Sequence, residues 1–279
     1  MLFFHAAIPP ETSETRMCRL RLLLLTMFTF AAASATAFGQ TDEIQVYDAS
    51  LAPPGIFNLT YHTNFTPSGL KAPAFPGGVE ADHSFNQVPE WAYGVTEWFE
   101  AGLYMPLYSR DPHLGWGING AKIRLLFAVP HADDRRFFYG SNFEFSYNAK
   151  RWDASRFTSE IRPIIGWHLH PVDIIINPIL DTAYDGFKNL DFAPASRFAY
   201  NMNSKWAAAV EEYDEFGPLH QFYRRRDQSH QLYGVVDYNG TFGIEAGIGF
   251  GLTQGSDNLV FKLIVTRDLN THRGGRSGS

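Results

Sequence analysis

Cysteine is nearly absent: the 279 residues hold one, Cys18. It lies in a segment that the neighbouring residues mark for removal. The mature chain therefore has no thiol, no disulfide and no cysteine-based metal site. Long apolar runs are missing too. After residue 37 no run reaches the roughly 18 residues of a spanning helix, which excludes a multi-helix inner-membrane protein. Positive charge is not in excess, with 23 Lys and Arg against 29 Asp and Glu. That balance argues against nucleic acid as a partner. No Gly-x-Ser-x-Gly elbow occurs, and no His–Ser pair stands out by its spacing, so hydrolase chemistry has little to start from. His62, His83, His113, His131, His168, His170, His220 and His230 form no metal-type pair on one face; no metal and no cofactor are expected.

What is present is period two. In Thr241–Leu252, Phe242, Ile244, Ala246, Ile248, Phe250 and Leu252 make one face. Gly243, Glu245, Gly247, Gly249 and Gly251 make the other, which only an extended strand satisfies. Asn239-Gly240 before it suits a tight hairpin turn. A soluble sandwich hides such an apolar face in its core. A membrane barrel shows it to lipid and turns the glycines and Glu245 to the lumen.

The N-terminus fixes the compartment. Arg19, Leu20 and Arg21 lead into the apolar run Leu22–Phe30, and small residues fill Ala31–Gly39. This is a secretory signal, with Ala35-Thr36-Ala37 as its cleavage motif. Residues 1–16 carry Pro9, Pro10, Glu11 and Glu14 and read as a misassigned start ahead of Met17. The expected organisation is a signal peptide over 17–37, a periplasmic lead-in over 38–55, a barrel over 56–269 and a polar tail over 270–279. About 240 mature residues suffice for one domain. The 15% aromatic content suits interfacial girdles, and Trp91, Trp98, Trp116, Trp152, Trp167 and Trp206 fall mostly near expected strand ends.

The alternation recurs. Ala121, Ile123, Leu125 and Phe127 face away from Lys122 and Arg124, two cations that are costly inside a sandwich and tolerable in a wet lumen. Twelve strands are expected, within a range of ten to fourteen, because alternation is weak between Leu190 and Tyr238. The odd connections are long (66–89, 109–117, 148–155, 182–189, 212–229, 253–258). Most even ones are short (96–97, 169–171, 201–204, 239–240), with 129–136 the exception. Long loops on one rim and both termini on the other describe an all-β, transmembrane, antiparallel up-and-down barrel. A soluble all-β domain is the alternative. Twelve strands give a backbone diameter of roughly 24 Å and a lumen on the order of 10 Å.

The segments EIQVYDASLAPPGIFNLTYHTNF, PEWAYGVTEWFEAGLYMPLYSR and SEIRPIIGWHLHPVDIIINPILDT carry a resemblance. With LDFAPASRFAYN, EEYDEFGPLH and SHQLYGVVDYNG, they are similar to bacterial outer-membrane barrels of the phenol-degradation MetA-pathway type. The resemblance covers nearly the whole mature chain. It implies outer-membrane transport, passive or substrate-selective, and supplies no catalytic motif. Many barrels end on an aromatic residue that the insertion machinery reads; this chain runs past Leu269 into THRGGRSGS.

The candidate lumen residues are Glu100, Lys122, Arg124, Glu144, Glu160, Arg162, Asp173, Asp181, Asp191, Arg197, Glu211, Asp237, Glu245 and Lys262. One reading is a structural ion-pair network. The other is a selectivity lining that orients a polar or aromatic carboxylate, with Arg124 and Arg162 favoured because a guanidinium grips carboxylates bidentately. Glu211, Glu212, Asp214 and Glu215 face Arg224, Arg225 and Arg226 across an expected loop. These charges either hold that loop shut or form a gate or a surface site for divalent ions. The loop Pro67–Pro89 is long enough to fold inward as a constriction. The expected function is passive passage of small organic solutes, with outer-membrane lipids and the barrel insertion machinery as partners. A lipid-modifying enzyme and a plugged structural or surface-recognition barrel are the alternatives, and the oligomeric state is left open.

Overall fold

A computed structural model describes residues 43–270. The expected start at Met17, the signal segment and the tail beyond residue 270 lie outside the described residues. Twelve strands follow one another: β1 Phe57–Ser68, β2 Phe85–Thr96, β3 Phe99–Asp111, β4 Gly115–Ala128, β5 Phe137–Asn148 and β6 Phe157–His168. β7 comes in two pieces, Val172–Asn177 and Leu180–Thr182, and so does β8, Asp191–Phe192 and Ala195–Asn201. β9 is Trp206–Glu215 extended by Gly217–Pro218, β10 Ser229–Asn239, β11 Gly243–Gly251 and β12 Leu259–Asp268. Each pairs antiparallel with its neighbours, and β12 closes on β1 from Asn58↔Asp268 to Phe65↔Phe261. Closure leaves no free sheet edge, which is what spanning a bilayer with strands requires.

Polarity is inverted relative to a soluble domain. Ile118, Ile123, Phe145, Ile248 and Phe250 are exposed on the outer wall, while Glu144, Asn142, His62 and Glu211 are buried within. A soluble sandwich would do the reverse; lipid around the barrel accounts for the pattern. On β11 the glycine face points inward and makes room for its neighbours. A Cβ on Gly249 would lie 2.3 Å from the Tyr233 ring, and one on Gly247 would lie 2.9 Å from Lys262 Cε.

Several expected boundaries move. The first long loop is 69–84 rather than 66–89, the second shrinks to a three-residue turn at 112–114, and the fifth is 219–228 rather than 212–229. Prolines explain the first. Pro89 and Pro106 lie where the β2–β3 register slips, between Gln87↔Tyr108 and Glu90↔Tyr104. A bulge absorbs the missing N–H there, so β2 continues through Pro89 to Phe85. Glu211, Glu212, Asp214 and Glu215 consequently belong to β9, and the expected loop closure by charges facing Arg224–Arg226 does not form. Arg224 pairs with Asp227 inside its own loop, Nε to Oδ2 2.6 Å. Loop 69–84 is closed by a bond of its own and tied to two other loops at its rim. Gly69 N donates to Asp82 Oδ1 (2.9 Å), Leu70 N to Asp257 Oδ1 (2.8 Å) and Val79 N to the Arg151 carbonyl (2.8 Å). The Gly69 N–H holds the Asp82 carboxyl below the usual range, whereas burial pushes that of Asp257 up.

The largest departure is the segment expected as a periplasmic lead-in. Residues 43–55 run inside the barrel. Glu43, Ile44, Val46, Tyr47, Ala49 and Ala52 are buried, and the segment leaves at the rim carrying the short turns, where Gly55 N donates to the Gly94 carbonyl (2.8 Å). Gly94 permits this exit: a Cβ there would lie 2.2 Å from the Ala52 carbonyl oxygen and 2.3 Å from that of Pro53. Gly94→Ala is therefore expected to push the segment off the wall while β2 stays paired. Ala52→Cys, made in a chain whose one natural cysteine, Cys18, is replaced by Ser, provides a single thiol as a reporter. Maleimide labelling of it in folded protein should rise severalfold when Gly94→Ala is added; unchanged labelling would mean that the contact is not tight.

Candidate functional site

The inner wall carries three charge networks, each built across neighbouring strands because inward residues of paired strands stand side by side. The first joins β1 to β4. Arg124 Nη2 bonds Glu90 Oε1 (2.7 Å) and Glu100 Oε1; Glu90 Oε2 meets His62 Nε2 at 3.1 Å. The second joins β4 to β6. Lys122 Nζ meets Glu144 Oε2 at 3.2 Å, and Arg162 grips Glu160 with a fork, Nε to Oε1 2.6 Å and Nη2 to Oε2 2.9 Å. The third spans β8 to β12. Arg197 reaches Glu211, Asp237 and Glu245; Lys262 reaches Glu211, Glu245 Oε1 (2.6 Å) and the Tyr213 hydroxyl (3.2 Å).

Asp173 lies apart, paired with His168 Nδ1 (2.7 Å) and Asn201 Nδ2 (2.7 Å) near the short-turn rim. Asp181 is next to Glu160 across β6–β7 and next to Asp191 across β7–β8. Of the two arginines favoured as anion ligands, Arg162 has its Nε–Nη2 fork filled by Glu160, whereas Arg124 holds Glu90 and Glu100 through Nη2 alone and its buried Nε takes no hydrogen-bond partner among the described residues.

Residues 43–55 bind to this wall through side chains, not through a strand ladder. Tyr47 is the most connected residue. Its N–H donates to Asn177 Oδ1 (2.7 Å), its carbonyl accepts from Asn177 Nδ2 (3.0 Å), and its hydroxyl meets that of Tyr104 at 2.5 Å. Its ring lies under two guanidiniums, 4.6 Å from Arg162 Cζ and 5.5 Å from Arg124 Cζ. Around it, Glu100 Oε2 accepts from Ala52 N (2.5 Å), Arg162 Nη1 donates to the Gln45 carbonyl (2.9 Å) and Lys262 Nζ to that of Ile44 (3.2 Å). Apolar contacts complete the fit. Ile44 packs with Ala199, Ala209, Tyr233, Val235 and Val260; Val46, Tyr47 and Ala49 pack with Leu126, Phe138, Ile164, Ile175 and Ile179. The 129–136 turn folds toward the segment, placing Ala132 in that second cluster, and Asp133 Oδ1 accepts from Ser50 Oγ (2.6 Å).

Sequence reasoning missed Glu43, Tyr47 and Glu90; alternation puts Asn177 on the inner face, with Asp173 and Asp181, without singling it out as a contact. Pro89 conceals Glu90, since alternation read backward from Trp91 stops at that proline. Nothing in the sequence of 43–55 distinguishes a segment inside the lumen from one outside it. One further pair resembles hydrolase machinery, His230 Nδ1 against Asp214 Oδ1 at 2.5 Å. The other ring nitrogen faces Gln228 Oε1 at 3.0 Å rather than a nucleophile.

A closed twelve-stranded barrel with a polar interior and an apolar exterior is the fold of outer-membrane β-barrels. In line with that, the chain is similar to a solved outer-membrane channel from Pseudomonas putida F1, with 12% identity and a TM-score of 0.54 over 81% of this chain and 100% of that one. It is also similar to the KdgM porin, with 7% identity and a TM-score of 0.50 over 76% of this chain and 99% of that one. No family model and no curated protein matches the sequence.

The third network gives a stability prediction. Lys262 is fully buried between Glu211 and Glu245. Lys262→Met leaves Glu211, itself fully buried, with Arg197 as its remaining cation, at an expected cost of about 3–5 kcal/mol. The folded, fast-migrating band on unheated gels should convert to the slow one at a distinctly lower temperature. Glu211→Gln combined with Lys262→Met should recover part of the loss, because it removes the stranded charge.

Proposed function

We propose that the chain is an outer-membrane channel for passive passage of small solutes, with residues 43–55 as a removable filling of its lumen. The carrying observation is how that segment is held. Every cation it contacts also has a carboxylate partner on the wall: Glu90 and Glu100 for Arg124, Glu160 for Arg162, Glu211 and Glu245 for Lys262. Withdrawal of the segment breaks single hydrogen bonds and side-chain packing but strands no wall cation. A barrel needing the segment for its own integrity would have used it as a charge partner throughout; only Glu43, 3.5 Å from Arg162 Nη2, acts as one.

The likeness to a channel and a porin supports this reading through the fold. Cleavage after Ala37, handling by the barrel insertion machinery, and a solute class linked to phenol breakdown belong to the same proposal. The first two rest on the signal grammar and barrel layout, the last on the family resemblance alone. The dense bonding of Tyr47 favours one other reading, a permanently plugged structural barrel.

Single-channel recording on the refolded mature chain separates them. Small, infrequent steps are expected from the intact protein. Removal of residues 40–52, leaving Pro53-Pro54-Gly55 to guide entry into β1, should raise conductance severalfold as a lumen on the order of 10 Å opens. An intact chain that stays silent while the shortened one conducts would establish the plugged reading instead, and a heat-modifiable barrel silent in both forms would overturn the channel reading.

A further inference from the structure

The lumen filling leaves a cavity of about 430 Å³ between residues 45–53 and the walls of β1–β4 and β8–β12. Its charge is one-sided. Six carboxylates line it, Asp48, Glu90, Glu100, Asp237, Glu245 and Asp268, against the guanidiniums of Arg124 and Arg197. Both guanidiniums are already committed, Arg124 to Glu90 and Glu100, Arg197 to Glu211, Asp237 and Glu245.

That leaves negative charge over. Asp48 accepts from Ser50 N (3.0 Å) and Asp268 from Asn58 Nδ2 (2.8 Å), both uncharged donors. Asp237 Oδ1 is buried and takes no hydrogen bond, so it is an acceptor without a donor. Asp268 also lines a second cavity of about 600 Å³, shared with Gly240, Thr241 and Leu269 at the short-turn rim. It therefore stands between the rim and the inner cavity, on the path of whatever passes.

We infer that the open pore selects for cations and that this periplasmic vestibule is its selectivity region. The inference rests on the channel reading and adds the sign of the solute. Charge lining a narrow, low-dielectric passage raises the local concentration of the opposite ion and repels its own sign. An anion entering here meets, apart from Arg267, whose guanidinium lies over the Phe242 ring (4.7 Å), only guanidiniums that already hold wall carboxylates, and at least two carboxylates without a cation partner. A cation meets Asp268 first, then Asp237 and Asp48.

The test is the reversal potential of the mature chain in a planar bilayer under a tenfold KCl gradient. Potassium should permeate more than about three times as readily as chloride. Asp48→Asn with Asp268→Asn keeps side-chain size and leaves each residue one carbonyl oxygen to accept from Ser50 N or Asn58 Nδ2, so the barrel should stay folded on unheated gels. The permeability ratio should fall toward one. Removal of residues 40–52 takes Asp48 away but keeps the other five carboxylates, so cation preference should persist at higher conductance. Current with a ratio at or below one would overturn this inference and leave the channel reading standing. No current in any form would overturn both.

Discussion

A cation cannot be buried on the inner wall of a narrow barrel unless carboxylates of the adjoining strands answer it. Lys262 shows the constraint most sharply. Its ammonium has no exposure, and it is tolerable only because Glu211 on β9 and Glu245 on β11 converge on it. That convergence needs β9, β10, β11 and β12 in one register and the small Gly247 beside Lys262, 2.9 Å from where a Cβ would stand. A slip of one residue in any pairing would turn these charges to lipid and the apolar face to the lumen. The networks thus specify register as much as they stabilise the wall, and the other two repeat the arrangement around Arg124 and Arg162.

The same networks determine what fills the lumen. Cations satisfied by wall carboxylates still have donors left, and the backbone carbonyls of Gln45 and Ile44 take them. An extended segment with no ladder of its own presents many such carbonyls, and that is the form residues 43–55 adopt. Asn177 acts for the wall as a strand edge would, giving and accepting one bond with Tyr47. It lies just before Pro178, where β7 breaks off, so its backbone is at the end of a ladder while its side chain extends the pairing inward. Apolar residues on the inner face would be out of place in a water-filled barrel. Here they form the surfaces against which Ile44 and Val46 pack.

That packing explains how far the sequence could be read. Strict alternation made the outer strands plain: β4, β5, β11 and β12 have apolar residues out and charge or glycine in. The fourteen inward charges follow from the same rule, since period two assigns a face without reference to any partner. Strands β8 to β10 were harder because both faces carry apolar residues. Ala199, Ala209 and Val235 point inward toward Ile44, while Phe198, Val210 and Val236 point outward to lipid. Weak alternation there recorded an occupied lumen, a distinction that periodicity cannot express. Pro89 hid the start of β2 for a different reason: local composition reads proline as a break, and the bulge that accommodates it depends on β3.

The contrast between wall and filling has a functional consequence. The wall cations Arg124, Arg162, Arg197 and Lys262 are paired with wall carboxylates, so they hold their positions whatever lies in the lumen. The filling is held by hydrogen bonds to those positions, which water can replace at modest net cost per bond, and by apolar contact of Ile44 and Val46, whose exposure costs about 1.5–3 kcal/mol per side chain. An obstruction anchored by strand pairing would be a permanent part of the barrel. One anchored by side chains lacks that ladder, and residues 43–55 are held in the second way. The barrel's acidic vestibule also lies on the side of residues 45–53 where the chain leaves the lumen, past Gly94. Any loosening of the segment from its exit inward therefore first widens the region whose surplus carboxylates face the passage, so that the charge lining and the obstruction act at one place.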